Sequence, residues 1–322
     1  MGLKKEAFHF LLRLGKQSSR KMIDEIKLLK GHEQHKKRHA LIKDMRLKSR
    51  YFAKFFGKIT KAPPSHVKCD NFYLSGVPGL KFTPENPGKS VIFYIHGGGF
   101  VLSIEETIHH HSYLPHLSAA TNSTVYEVDY RVAPEHPYPA APDDVFTAYM
   151  GLLEMGVEPQ DICVMGDSAG GTLALSLLLR LKDMNLPLPA GAVVFSAPAA
   201  PVTSVNSFHT REEVDLMFTK DTLKHVYAPA YTRYQNSIDP YLYPLYGCYK
   251  GFPPMLIFVG GREMLYDHSV LIANKAKKSG VDVILDVQED MLHGYTILLD
   301  LYEEAHMAME KVTDFMRKNV SV

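Results

Sequence analysis

DICVMGDSAGG, residues 161–171, runs from a short apolar segment into a serine flanked by small residues, and the neighbouring chain is best read outward from that change of character. The apolar half has the length and composition of a strand buried on both faces. Helical patterning follows from Ala169 onward. Gly166 and Gly170, two positions either side of Ser168, leave room for a backbone sharp enough to turn a strand directly into a helix and lift the serine hydroxyl above the sheet. The helix start behind Ser168 also offers a free N–H at Ala169 and the positive end of a dipole, both suited to a developing oxyanion. An ordinary capping serine after a glycine turn would be spelled the same way, so the motifs on either side must decide.

On either side of this stretch, short apolar runs alternate with helical patterns. VIFYI (91–95), TVYEVDY (124–130), GAVVFSAP (191–198), MLIFVGG (255–261) and VDVILDVQ (281–288) read as strands, with helices expected near 105–120, 143–155, 169–183, 267–279 and 296–317. Such alternation implies right-handed crossovers and an α/β sheet covered by helices on both faces. VKCDNFYLSGVPGLKFTPEN (67–86) reads as an antiparallel edge hairpin turning at Gly76-Val77-Pro78-Gly79. Residues 1–60 differ: Phe8, Leu11, Leu12, Ile23, Ile26, Leu41, Met45, Phe52, Phe55 and Phe56 recur at helical spacing among many Lys and Arg, predicting two or three amphipathic helices. Residues 200–250, rich in Pro, Tyr and Ser and without a clear period, read as an insertion over the strand ends. The expected division is a helical cap segment at 1–60 and a catalytic domain at 61–322 carrying that insertion.

His96-Gly97-Gly98-Gly99-Phe100 directly follows the strand VIFYI. Three consecutive glycines cost backbone entropy, so a loop retains them where another group must approach the main chain. A carbonyl oxygen is the natural visitor, with the N–H groups of Gly97 and Gly98 completing a hole with that of Ala169. Neither G-x-G-x-x-G nor G-x-x-x-x-G-K-[ST] can be completed from these glycines, which argues against a phosphate cradle.

HGGGF (96–100), DYRVAPEHPYPAAPDD (129–144) and GDSAGG (166–171), in this order and spacing, resemble the hormone-sensitive-lipase-like branch of the α/β-hydrolase fold over roughly residues 68–318. The resemblance implies an esterase for short acyl chains, a mostly parallel eight-stranded sheet, a cap formed partly by the N-terminal helices, and no cofactor. Triad order in this fold is serine, acid, histidine. The acid belongs on the turn after MLIFVGG, where the family pattern resembles Asp-x-Leu-x-Asp with the first carboxylate catalytic; here Glu263 takes that place and Asp267 is the alternative, its other role being a helix cap. His293, on the loop after the last strand, corresponds to the base, whereas His268 and His306 fall within helices and read as surface residues. His293 would take the Ser168 proton, the carboxylate would fix its tautomer, and an acyl-enzyme would form and be hydrolysed by water. Asp129-Tyr130-Arg131 and Pro134-Glu135 read as scaffold.

No metal is expected. His32-Glu33-Gln34-His35 is one residue short of H-E-x-x-H, His35 and His39 have no third ligand in a catalytic setting, and His109-His110-His111 cannot converge from one helix face. Three cysteines (Cys69, Cys163, Cys248) in 322 residues fit a reducing cytoplasm better than a disulfide framework. The apolar stretch after Lys4 and Lys5 is broken by Glu6, His9 and Arg13, unlike a secretory signal, and nothing approaches a membrane span. Residues 1–60 hold seventeen Lys and Arg against five Asp and Glu, so a head of +12 sits beside a body of −11. This is read as a solvated helix face over an acidic body. The expected partner is a small-molecule ester, with neither nucleic acid nor membrane contact expected and a homo-oligomer left open. The alternatives are a deacetylase or amidase for one metabolite, a non-catalytic ligand receptor, and a membrane-surface protein using the same fold.

Overall fold

Strands too apolar to tolerate solvent on either face have to stack side by side under helices, and they do. The computed structural model describes residues 2–233 and 238–320; Met1 of the head, residues 234–237 of the insertion and residues 321–322 lie outside the described residues. Among the described residues, eight strands, β1 (Val67–Leu74), β2 (Val77–Pro84), β3 (Val91–Ile95), β4 (Thr124–Val128), β5 (Ile162–Asp167), β6 (Gly191–Phe195), β7 (Met255–Gly260) and β8 (Val283–Gln288), form one sheet in the order β1-β2-β4-β3-β5-β6-β7-β8. Only β2 runs against its neighbours. This is the α/β-hydrolase fold. Every residue of β3 to β7 is buried. Register aligns Ile95 with Gly166 and Asp167 with Phe195, so the chain leaves β3, β5 and β6 at one edge of the sheet.

The edge hairpin turns one step earlier than its Gly-Val-Pro-Gly spelling suggests. Val77 already pairs with Leu74, leaving Ser75 and Gly76 as a two-residue turn with φ of 46° and 88°. Positive φ at both positions matches the twist of the strands, and Gly76 makes it accessible. The helix expected at 105–120 is α4 (Tyr113–Thr121), which begins only at Tyr113. Pro115 lacks an N–H and its ring would clash with a helical turn behind it, so residues 104–106 and 109–111 form separate 3₁₀ turns. The first of these is closed by Glu106, which accepts from the N–H and hydroxyl of Ser103. The last helix likewise starts late, at Glu303, because Asp300 is used as an anchor by Lys61 N–H and the Ser112 hydroxyl.

One face of the sheet buries Ile92, Tyr94, Met165 and Phe258 under α4 (Leu114, Leu117) and the C-terminal helix (Ala308, Val312). The other buries Phe93, Ile95 and Val164 under α5 (Ala140–Glu154) and α6 (Ala169–Asp183). The head folds as α1 (Gly2–Ser18), α2 (Arg20–Leu28) and α3 (Gly31–Ile59). Phe8 and Phe56 extend the first core and Ile23, Ile26, Leu41 and Ile42 the second. Its inward cations strap it down: Lys16 Nζ donates to the carbonyls of Glu212 and Asp215, Arg38 Nε to His225 O, and Arg46 to the carbonyls of Val101 and Ala133 and to the Glu135 carboxylate.

Glu127, in the middle of β4, is fully buried and neither carboxyl oxygen has a hydrogen-bond partner among the described residues. Burial pushes its pKa up to about 8. The folded state therefore binds a proton that the unfolded chain releases near pH 4.5, and stability falls as pH rises between those values. Glu127→Gln removes the titration, so its melting temperature should exceed the parent's by more at pH 9 than at pH 6. Thermal melts at the two pH values check this; an equal difference at both would show that Glu127 does not titrate there.

Candidate active site

Ser168 closes β5 and opens α6 with φ 51° and ψ −119°, its N–H donating to Phe195 O at 2.7 Å. Such a backbone fits only because its neighbours are bare: a Cβ on Gly170 would stand 1.9 Å from the Ile95 carbonyl oxygen, and one on Gly166 2.4 Å from the Gly170 oxygen. The turn leaves the Ser168 hydroxyl 3.0 Å from His293 Nε2. His293 Nδ1 lies 2.7 Å from Glu263 Oε2. The other Glu263 oxygen accepts from the Ser196 hydroxyl and the Gly260 N–H, both at 2.6 Å. A carboxylate can only accept, so His293 carries its proton on Nδ1 and turns the Nε2 lone pair to Ser168. Burial would lower the His293 pKa, but the Glu263 charge and hydrogen bond outweigh it and hold the ring above its ordinary value.

The structure thus brings Ser168, Glu263 and His293 together and leaves Asp267 out. Asp267 sits in the first turn of the helix Tyr266–Lys278, where its carboxylate accepts from Ser207 N–H at 2.7 Å and its own N–H donates to the Ser207 hydroxyl. It ties the insertion to the acid-bearing turn. His306 is exposed as expected, but His268 is not a surface residue. Its Nδ1 accepts from Ala199 N–H at 3.3 Å, and burial lowers its pKa to about 4. The helix carrying it packs against β7 and β8, and position 268 faces that core.

The glycine loop requires a correction. Gly97 N–H is not directed at the cavity; it donates to Asp167 Oδ1 at 2.9 Å, and a Cβ at Gly97 would stand 2.2 Å from the same carboxylate. Gly98, at φ 107°, and Gly99, at φ 63°, follow with N–H groups that meet no acceptor among the described residues, as does Ala169. Gly99, Ser168 and Ala169 line one cavity. Gly99 and Ala169 therefore present free donors in the cavity with Ser168, Gly98 adjoins them with its N–H free, and Gly97, whose N–H is taken by Asp167, does not.

Two further carboxylates, Asp167 inside the serine motif and Asp215 outside any motif, support this arrangement. Asp167 also accepts from Tyr94 Oη at 3.0 Å and stands 2.9 Å from His109 Nε2. Burial would raise its pKa, but the His109 charge and these hydrogen bonds together hold it below the ordinary value. His109 is thus part of the serine's supporting structure, and only the need of a buried Asp167 for a counter-charge could have suggested it. Asp215, in the insertion, accepts from the N–H groups of Met217, Phe218 and Met264. It fixes the Phe218 ring 5.0 Å from that of His293 and holds the residue next to Glu263. Behind the loop, Tyr130 stacks on His96 with ring centres 4.4 Å apart and donates to His96 O, so the 129–144 segment is scaffold.

The cavity above Ser168 encloses about 270 Å³. Its walls are apolar and come chiefly from residues 198–243, including Ala200, Phe218, Leu223, Tyr227 and Tyr231; no described residue of the head reaches it. No group of three or more His, Cys, Asp or Glu among the described residues is placed to hold a metal ion.

Comparison with known proteins agrees with this geometry. Residues 92–297 match a family described by its α/β hydrolase fold. An esterase of Acinetobacter venetianus is 33% identical over 75% of this chain and 79% of its own length. An acetyl-hydrolase of Streptomyces hygroscopicus is 32% identical over 73% and 77%. Among solved structures, an esterase from the bacterial hormone-sensitive lipase family superposes with a TM-score of 0.79 at 30% identity, covering 88% of this chain and 98% of that one. The esterase EstE5 gives 0.77 at 32% identity, covering 90% and 99%. With the serine turn, the glycine loop and relatives of this similarity all in agreement, the chain belongs to the hormone-sensitive-lipase-like esterases of the α/β-hydrolase fold and is a carboxylic ester hydrolase.

Proposed function

We propose that the enzyme hydrolyses esters of short acyl chains through a Ser168–His293–Glu263 triad, with the N–H groups of Gly98, Gly99 and Ala169 as its oxyanion hole. The observation that carries this is the unbroken hydrogen-bond chain from the Ser168 hydroxyl through His293 to Glu263, opening beneath an apolar cavity. In the proposed cycle, His293 Nε2 accepts the Ser168 proton as Oγ attacks the ester carbonyl carbon. The carbonyl oxygen gains charge where the three free N–H groups can donate. His293 then returns the proton to the leaving alkoxide, and the ester C–O bond breaks to leave an acyl-serine. Water repeats the sequence, losing its proton to His293 and releasing the acid and Ser168. Glu263 orients the ring and stabilises the imidazolium.

A cavity of about 270 Å³ is small beside ligand pockets of roughly 300–1,000 Å³, and its apolar walls suit an alkyl chain of a few carbons. The name of the Streptomyces relative, an acetyl-hydrolase, points the same way.

Four measurements test this reading. A sulfonyl fluoride should label Ser168, as read by peptide mass spectrometry, and Ser168→Ala should lose several orders of magnitude in kcat; full activity in that variant would end the proposal. Glu263→Gln should lower kcat by about 10⁴, whereas Asp267→Asn should cost at most about 1 kcal/mol of stability with kcat nearly unchanged. Because catalysis needs neutral His293, kcat/KM is lost as pH falls through its raised pKa, and removing the Glu263 charge should move that acid limb to lower pH. The reverse ranking of the two variants would transfer the role to Asp267. Finally, kcat/KM across a p-nitrophenyl ester series should peak at short chains and decline toward dodecanoate; a maximum at dodecanoate would refute the short-chain reading.

A further inference from the structure

We propose that the outward faces of α1 and α3 form a docking surface for an anionic phospholipid bilayer, with the two helices lying in the plane of its interface. Eight of the eighteen large hydrophobic side chains exposed among the described residues fall within residues 1–60, under a fifth of the chain. They are ordered rather than scattered. On α1, Phe10 and Leu14 lie one turn apart and are 61% and 45% exposed, while Phe8 and Leu12 turn inward to the core. On α3, Leu47, Tyr51 and Phe55 follow at successive turns, each more than half exposed.

The two helices that carry these ridges are neighbours. Lys4 Nζ donates to Ile59 O, and the Phe8 ring lies 6.1 and 6.3 Å from those of Phe52 and Phe56, so α1 runs alongside the C-terminal half of α3. The cations of the head divide accordingly: Lys16, Arg38 and Arg46 bind the body, whereas Lys43, Lys54 and Lys58 are exposed and form no salt bridge among the described residues. Exposed lysines around an apolar ridge complement a surface that is apolar within and anionic at its rim, since the lysine stems can lie along the acyl boundary while their ammonium groups reach phosphate. A second copy of the chain is a poorer complement, because a two-fold contact sets the same face against itself and brings these lysine rows together. No described helix is long and apolar enough to cross a membrane, so the contact proposed is superficial.

Co-sedimentation of the full chain with phosphatidylcholine vesicles, with and without phosphatidylglycerol, tests this at low and high sodium chloride. Binding should require phosphatidylglycerol and fall roughly tenfold or more at high salt. Phe10→Glu with Leu14→Glu should reduce it by a similar factor while leaving turnover of a water-soluble short ester unchanged. Lys54→Glu with Lys58→Glu should weaken it without touching the apolar ridge. Equal sedimentation with and without phosphatidylglycerol vesicles, or parent-like binding by the Phe10 and Leu14 variant, would overturn the proposal. A concentration-dependent dimer that this variant dissolves, with no vesicle binding by the parent, would overturn it in favour of self-association.

Discussion

Ser168 holds a left-handed backbone that costs a non-glycine residue on the order of 1–3 kcal/mol, and it persists only because everything near it forbids an alternative. Its N–H is tied to β6, its flanking glycines are pressed against the main chain of β3 and of its own helix, and α6 starts at the next residue. Much of the architecture follows from that one turn. Two bare glycines allow β3 and β5 to end level, which places the glycine loop beside the serine. The parallel order of β5, β6, β7 and β8 then delivers Ser168, Ser196, Glu263 and His293 to the same edge, where they are linked by hydrogen bonds.

Charge at this edge is divided by partner. Glu263, Asp167 and Asp215 are all buried, yet each is held by a different set of groups: Glu263 by His293, Ser196 and a backbone N–H, Asp167 by His109, Tyr94 and Gly97, and Asp215 by three backbone N–H groups. Only the first contacts His293 directly. The other two position the glycine loop and the insertion and add negative potential that favours a charged imidazole. Burial raises the energy of an unpaired carboxylate steeply, so each forces the surrounding backbone to present donors, and that demand fixes the loops.

Local spelling sufficed where geometry is local. The apolar runs gave the strands, Gly166 and Gly170 gave the turn, and chain order pointed to Glu263 and His293. It failed where a distant partner decides. Which of Gly97, Gly98 and Gly99 faces the cavity depends on Asp167 capturing the first N–H, a contact seventy residues away in sequence. His268 looked like a surface helix residue because helical period does not say which side a core will cover. Asp215 lies in a segment without period or motif, and His109 in a histidine run whose spacing points only to a metal site it cannot form, so only their three-dimensional partners reveal them. The hairpin turns at Ser75 and Gly76 rather than at Gly-Val-Pro-Gly, because strand pairing continues through Val77 and Pro78, which a turn-like spelling does not reveal.

The cavity wall is drawn mostly from residues 198–243, while the hydrogen-bond chain Ser168–His293–Glu263 runs among residues placed by the sheet. The shape of the pocket and the hydrogen-bonded edge therefore sit on different segments of the chain. Substitutions that reshape Leu223, Tyr227 or Tyr231 alter which molecules fit without disturbing the strands that align Ser168 and His293. The pocket can thus be recut by substitution within the insertion while the sheet edge that holds Ser168, Glu263 and His293 keeps its hydrogen bonds.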